Sequence, residues 1–330
     1  MNSIYPLKFR PVLKETIWGG DTLRKRFGKE GKAGAAIGES WEINGMTGKS
    51  SRIANGFLRG NTLEEVIEVY MGDLVGDSVY ERFGNEFPLL IKFIDARDTL
   101  SVQVHPDNKL SSERHHAWGK TEMWYVIDAS PGALIYTGFN KKTTREEYLL
   151  HLNNKDLAGL INATPVMPGD VFFIPAGMVH AIGAGVLLAE IQQTSDVTYR
   201  IYDWDRVDNK GKPREMHTEL ALDAINFSLD QPNLIRKAPE TNHPVTLASC
   251  DYFHTNLLQL DRPVIKDTSL TDSFLIYICT ESMVVVDCLG HNEELRAGET
   301  ILIPAAADNV TLIPQKTATL LEVYIPQKHN

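Results

Sequence analysis

Pro168-Gly-Asp-Val-Phe-Phe-Ile-Pro-Ala176 and Ala297-Gly-Glu-Thr-Ile-Leu-Ile-Pro-Ala305 share one pattern, Gly-acidic-x-x-x-Ile-Pro-Ala. In each copy the Gly and the acidic residue make a turn, a short strand follows, and Pro ends it. A match of this length points to an internal duplication and so to two related β-barrels. In that register Asn309 stands where the first copy has His180. Outward from the repeats the chain reads as short β runs. They fall at 89–95, 99–105, 122–128, 170–175, 186–192, 198–202, 274–279, 283–288, 300–304 and 320–325, with Gly, Pro, Asn and Asp between them. Helical periodicity appears at 62–71 with Thr62 as N-cap, at 143–153 with Thr144 as N-cap, and at 217–226. These helices are expected as insertions on a β scaffold. Residues 238–244 are the expected linker, dividing the chain into domains 1–237 and 238–330.

Composition excludes several classes. Of 330 residues, 43% are hydrophobic and 23% charged, enough for a sizeable core and against disorder. The formal net charge of -10 and the absence of a basic stripe argue against a nucleic-acid partner. An anionic small substrate stays compatible, because a few local cations outweigh a distant average field. No run approaches the ~20 apolar residues of a membrane span, and residues 1–10 lack the apolar core of a signal peptide. Cys250, Cys279 and Cys288 are scattered and form no C-x-x-C pair, as expected of reduced thiols in a cytoplasmic protein.

Polar residues at strand ends carry the chemistry. In Ser101-Val-Gln-Val-His105, alternation puts Ser101, Gln103 and His105 on one face and Val102 and Val104 on the other. Glu122 opens the otherwise apolar strand 122–128. His180 follows the turn at Pro175 and Gly177, which aims it back at the barrel. Two imidazoles, a carboxylate and an amide oxygen make a sensible donor set for Zn²⁺, and iron or manganese would suit two His and a carboxylate equally. Gln103 is the weakest donor and could instead orient a true ligand.

These residues carry a resemblance. Gly-x5-Pro-x-Gly-x2-His, from Gly169 to His180, is similar to the second cupin motif. Gln-Val-His-Pro-Asp at 103–107, Lys-Thr-Glu-Met at 120–123, Trp18-Gly-Gly, and Arg200 twenty residues after His180 together resemble type I mannose-6-phosphate isomerase in its short bacterial form. The resemblance runs from about Trp18 to Arg200. It implies a mainly β, double-cupin fold of two jelly-roll barrels. It further implies one zinc ion per chain, held by His105, Glu122 and His180 with Gln103 as fourth ligand. The implied activity interconverts mannose 6-phosphate and fructose 6-phosphate. Arg200 matches the family's catalytic arginine, and Asp196 and Lys120 match other pocket residues. Longer members carry His-Lys-Pro-Glu where this chain has Gly119-Lys-Thr-Glu122, so no role passes to that His. Glu39-Ser-Trp-Glu42 also departs from the longer forms.

Aldose–ketose isomerisation moves a proton between C2 and C1 through an enediol or enediolate. The developing oxyanion needs positive charge, the carbon acid a base and the phosphate cations. Lys92 interrupts the apolar run 89–94, so it is either paired, turned to polar space, or snorkelling from an edge strand. Glu190 shares a strand face with Leu188 and Gln192. With Asp196 it is a candidate proton carrier, while Lys92 and Lys120 are expected to line the pocket. Trp18 is a core aromatic or a sugar-facing wall. An iron-dependent cupin dioxygenase and a non-catalytic sugar-phosphate-binding double cupin are the competing readings. The second barrel, with Asn309 in place of the His, is expected to hold no metal. The expected partner is a small sugar phosphate, and the expected assembly a monomer or weak homo-oligomer.

Overall fold

Glu122–Ala129 and Val186–Gln193 form the middle of a seven-stranded antiparallel sheet. Both are buried along nearly their whole length and mostly apolar, as strands are when both faces of a sheet are covered. The remaining strands of that sheet are Leu234–Ile235, Val171–Ile174, Leu89–Ala96, Val12–Gly20 and Ile37–Asn44. A computed structural model describes residues 3–32, 34–207, 211–229 and 233–327. A five-stranded sheet, in the order Tyr199–Tyr202, Val102–Val104, His180–Ile182, Leu134–Phe139, Ile161–Pro165, packs on the inner face of the first. Trp124, Val126, Phe172 and Leu188 from the larger sheet share an apolar cluster with Leu100, Ile135 and Ile182 from the smaller side. This is the first barrel of a double cupin.

The second barrel repeats the plan. Val245–Ser249, His254–Leu260, Ala318–Tyr324, Leu275–Glu281 and Thr300–Ile303 form one sheet; Val264–Asp267, Asn309–Pro314, Met283–Cys288 and His291–Arg296 form the other. The strand register confirms the duplication. Ile174 pairs with Glu122 in the first barrel, and its repeat equivalent Ile303 pairs with Leu275 in the second. His180 and Asn309 each open the next strand, opposite Gln103 and Asp267 respectively.

Strand alternation explains how the barrels meet. Met123, Tyr125, Ala189 and Ile191 point away from the first barrel's interior and share the largest apolar cluster with Ile276, Ile278, Leu321 and Val323 of the second. The N-terminal segment adds to this. Leu7 and Leu302 exchange backbone hydrogen bonds of 2.8 and 2.9 Å, so the segment around Leu7 is strapped to the second barrel. Residues 238–244 fall between Leu234–Ile235 of the first sheet system and Val245–Ser249 of the second; the largest apolar cluster draws on both sides, while the others lie on one side each.

The helices were partly legible. Leu63–Val75 starts at a capping box, with Thr62 Oγ1 accepting from Glu65 N, and runs past the expected end across a kink at Met71 (φ 46°). Arg145–Asn153 is capped by Thr144 as expected. The third helix is shorter than its pattern, Thr218–Ala224. The strand expected at 99–105 is only Val102–Val104, since backbone and side-chain groups around Thr99 and Leu100 bond to neighbouring loops instead. Asn108–His115 was not foreseen. It has no apolar stripe and is nucleated by Asp107, whose Oδ1 accepts from Leu110 N at 2.8 Å.

All five tryptophans (18, 41, 118, 124 and 204) precede residue 238, so their fluorescence reports the first barrel alone. Leu302, in the second barrel, is fully buried in the shared cluster. Leu302→Ala is expected to cost about 2–5 kcal/mol and to shift the tryptophan-detected denaturant midpoint together with the far-UV signal. An unmoved tryptophan transition would show that the barrels unfold independently.

Candidate active site

Three elements deliver the donors. Pro106 ends the strand carrying Gln103 and leaves His105 at the barrel end, beside Glu122 at the start of its own strand and His180 after the Pro175–Gly177 turn. His105 Nε2 lies 3.5 Å from Glu122 Oε2, and His180 Nε2 lies 3.4 Å from Glu122 Oε1. One donor atom from each of the three falls within 4.8 Å of the others. All three side chains are at most 1% exposed.

Each imidazole is set by a backbone carbonyl. His105 Nδ1–H donates to Val197 O at 3.1 Å and His180 Nδ1–H to Met178 O at 2.8 Å. That fixes the tautomer and leaves both Nε2 lone pairs facing the carboxylate. Burial holds His180 down to about 4. Burial, with the Lys120 ammonium, holds His105 well below the usual imidazole range. Both rings are therefore neutral at physiological pH, as metal ligands must be. Burial pushes Glu122 up to about 7 against the pull of Lys120. His180 Nε2 and both Glu122 oxygens are buried without a hydrogen-bond partner. Orphaned acceptors of this kind, converging from three strands, fit a divalent cation.

Lys120 completes the cluster, with Nζ 3.0 Å from His105 Nε2 and 3.0 Å from Glu122 Oε2. Deeper in the barrel, Glu190 Oε1 accepts from Lys92 Nζ at 2.8 Å and Oε2 from Trp124 Nε1 at 2.8 Å. Burial opposes the charge on Glu190, but Lys92 and Lys120 outweigh it and bring the carboxyl down to about 2. Lys92 is thus paired, not snorkelling. Two of its neighbours come from Glu39–Glu42, which the sequence marks only as a departure from the longer forms: Glu39 Oε2 lies 4.0 Å away, and the Trp41 ring centroid 5.3 Å away. Trp124 was missed too, although an indole next to an interior carboxylate is a ready donor.

The remaining residues sit as follows. Gln103 pairs directly with both His180 and Arg200 on adjacent strands, so the three share one sheet face. Arg200 is half-buried; its Nη1 donates to Glu215 O at 2.9 Å and its Nε is buried without a partner. Arg206 and Arg214 stand nearby, both held on Asp203. Asp196 lies outside this interior, 44% exposed and paired with Lys49 at 2.5 Å. Trp18 belongs to the apolar cluster of Ile94, Trp124 and Leu188 and is 5% exposed.

Two packed β-barrels, with two imidazoles and a carboxylate converging inside the first, define a double cupin with a candidate metal site. Residues 7–134 match the family described as phosphomannose isomerase type I, catalytic domain. The chain is 41% identical over 226 residues to mannose-6-phosphate isomerase of Streptococcus mutans, which covers 67% of this chain and 68% of that one. It is 39% identical over 254 residues to mannose-6-phosphate isomerase ManA of Bacillus subtilis, covering 75% and 77%. The crystal structure of the mannose 6-phosphate isomerase from Bacillus subtilis superposes with a TM-score of 0.83 at 31% identity, over 97% of this chain and 99% of that one. The chain belongs to the mannose-6-phosphate isomerase family.

Because a metal needs the Glu122 carboxylate ionised, metal uptake by the metal-free protein should release a proton increasingly below about pH 7. Calorimetric titrations in buffers of different ionisation enthalpy should show more proton release, and weaker apparent affinity, at about pH 6 than at about pH 8. Glu122→Gln should remove most bound metal by elemental analysis; full occupancy in that variant would exclude Glu122 as a ligand.

Proposed function

We propose that this protein is a zinc-dependent aldose–ketose isomerase acting on mannose 6-phosphate and fructose 6-phosphate, with its site in the first barrel. The observation that carries this reading is the buried cluster of His105, Glu122 and His180, with its orphaned donor atoms, in a chain of the isomerase family. His105 and His180 would hold the ion through Nε2 and Glu122 through its carboxylate, with Gln103 as the fourth donor. When bound, the ion supplies Lewis-acid stabilisation of a developing enediolate.

The chain's own residues supply the rest. Lys120, with its ammonium already at the donor cluster, donates hydrogen bonds to oxygens that gain charge as the proton leaves C2. Glu190 serves as a fixed anion. Held ionised by Lys92 and Trp124, it is a poor proton acceptor, and its part is to set the Lys92 ammonium in the pocket. Arg200 shares the sheet face of Gln103 and His180 and carries a free buried N–H, which suits an anionic oxygen of the substrate. Lys14, Lys49 and Arg52 line an open pocket of about 410 Å³ that also touches Trp41, and they offer further cations to a phosphate. Asp196, paired with Lys49, stands with that outer group.

Purified protein given mannose 6-phosphate should form fructose 6-phosphate, lose that activity on chelation and regain it with zinc. Failure to turn over with zinc restored would sink the proposal. Arg200→Ala should cut kcat/KM by at least about a hundredfold, as loss of one charge-stabilising donor does elsewhere, while metal content stays at the wild-type level. Near-normal turnover in that variant would remove Arg200 from the site.

A further inference from the structure

The strand register that exposed the duplication also shows what the second barrel kept. In the first barrel Glu190 pairs across its strand neighbours with Lys92 and Trp124. In the second, Glu322 pairs with Asn256 and Tyr277. Glu322 therefore occupies the position of Glu190, Tyr277 that of Trp124 and Asn256 that of Lys92. The side chains repeat the arrangement. Tyr277 Oη donates to Glu322 Oε2 at 3.0 Å, as Trp124 does to Glu190. Asn256 Nδ2 donates to Glu322 Oε1 at 3.0 Å, and Lys266 Nζ reaches the same oxygen at 2.5 Å. An interior carboxylate with an aromatic donor and a lysine has thus persisted where the metal donors have not: Leu275 and Asn309 stand at the positions of Glu122 and His180.

A buried carboxylate with three donors is a costly thing to keep in a barrel whose other interior residues are apolar. It has one evident use. Lys266, 27% exposed, lines a pocket of about 820 Å³ that opens between the strand ends of this barrel. His254 lines it as well, stacked on Tyr324 with ring centroids 4.7 Å apart, and its Nε2 lies 2.9 Å from Asn256 Oδ1. The hydrogen-bonded chain His254–Asn256–Glu322–Lys266 thus runs from the pocket wall into the barrel and back out. Asp251 and Asp272 complete the charged lining, and Leu270, 92% exposed, overhangs the rim.

The charge balance selects the ligand class. Lys266 is neutralised by Glu322, and the other charged side chains of the wall include two carboxylates. Among the described residues that line the pocket, Lys266 is the one lysine or arginine, so a phosphate would meet no uncommitted cation from them. Donors and acceptors are instead interleaved around an apolar lip, the surface that a ring bearing many hydroxyls matches. We propose that the mouth of the second barrel is a metal-independent binding site for a neutral polyhydroxylated molecule of monosaccharide size. The site is separate from the isomerase centre and does not depend on that assignment.

The test uses D-mannose as a neutral probe, with mannose 6-phosphate for comparison, on the full chain by ligand-observed saturation-transfer NMR and calorimetry. Saturable one-to-one binding of D-mannose is expected, unchanged by chelation and by His105→Ala. It should weaken at least about tenfold, about 1.4 kcal/mol, in Glu322→Gln and in His254→Ala. His254 is only partly buried, so the second variant tests the site if Glu322→Gln fails to fold. Absence of saturable D-mannose binding overturns the proposal. So does binding lost in His105→Ala but retained in His254→Ala, which would put the sugar in the first barrel. Preference for the phosphorylated sugar after chelation and in His105→Ala would overturn the neutral class.

Discussion

Glu122 is a fully buried carboxylate whose nearest cation is the Lys120 ammonium, 3.0 Å from Oε2, and the architecture of the first barrel answers to it. The Lys120 ammonium opposes its charge, and two neutral imidazoles aim Nε2 at it. His105, His180 and Lys120 approach from three different chain segments, and each is held by the barrel closing around it. The two histidine tautomers are fixed by carbonyls of loops that exist only once the strands have paired. Beneath them, the Lys92–Glu190–Trp124 group places a second ion pair in the interior, so that cations and carboxylates alternate through the barrel. Fold and site are one electrostatic arrangement: removing one member leaves another charge buried and uncompensated.

Much of this was readable in the chain. Strand parity placed Gln103 and His105 on one face, and the observed pairing puts Gln103 opposite His180 and Arg200. The Gly-acidic repeat foretold two barrels and the loss of the histidine at Asn309. What escaped has a common cause: side-chain partners across strands have no spacing signature. Trp124 and Glu39 come next to Glu190 and Lys92 only because four strands lie in one order in the sheet. Glu322 was visible in principle, since Thr319-Leu-Leu-Glu322 echoes Leu187-Leu-Ala-Glu190, but its meaning emerges only from register. Helix ends differed from pattern where local capping or a kink outweighed periodicity, as at Asp107 and Met71.

The two barrels also show how a duplicated fold divides its labour. With Leu275 and Asn309 at the positions of Glu122 and His180, the second barrel lacks those donors, and its core is filled with apolar side chains. The outward faces of both large sheets stayed apolar and sealed against each other. The second barrel thereby became part of the wall that keeps the first barrel's strands dry on both sides.

The strap at the N-terminus sets an order of events in time. Leu7 has its backbone partner in Leu302, and Lys8 and Asn55 bond to Glu299 and Glu293. These residues precede their partner strands by more than 200 positions, so they leave the ribosome well before those strands are made. The large sheet of the first barrel can pair before then, but its outer apolar face stays open to water until the second barrel is made. High-separation contacts of this kind form slowly and late. The nascent chain is accordingly most vulnerable to aggregation not at its start but in the interval when one barrel is formed and its cover has yet to be made.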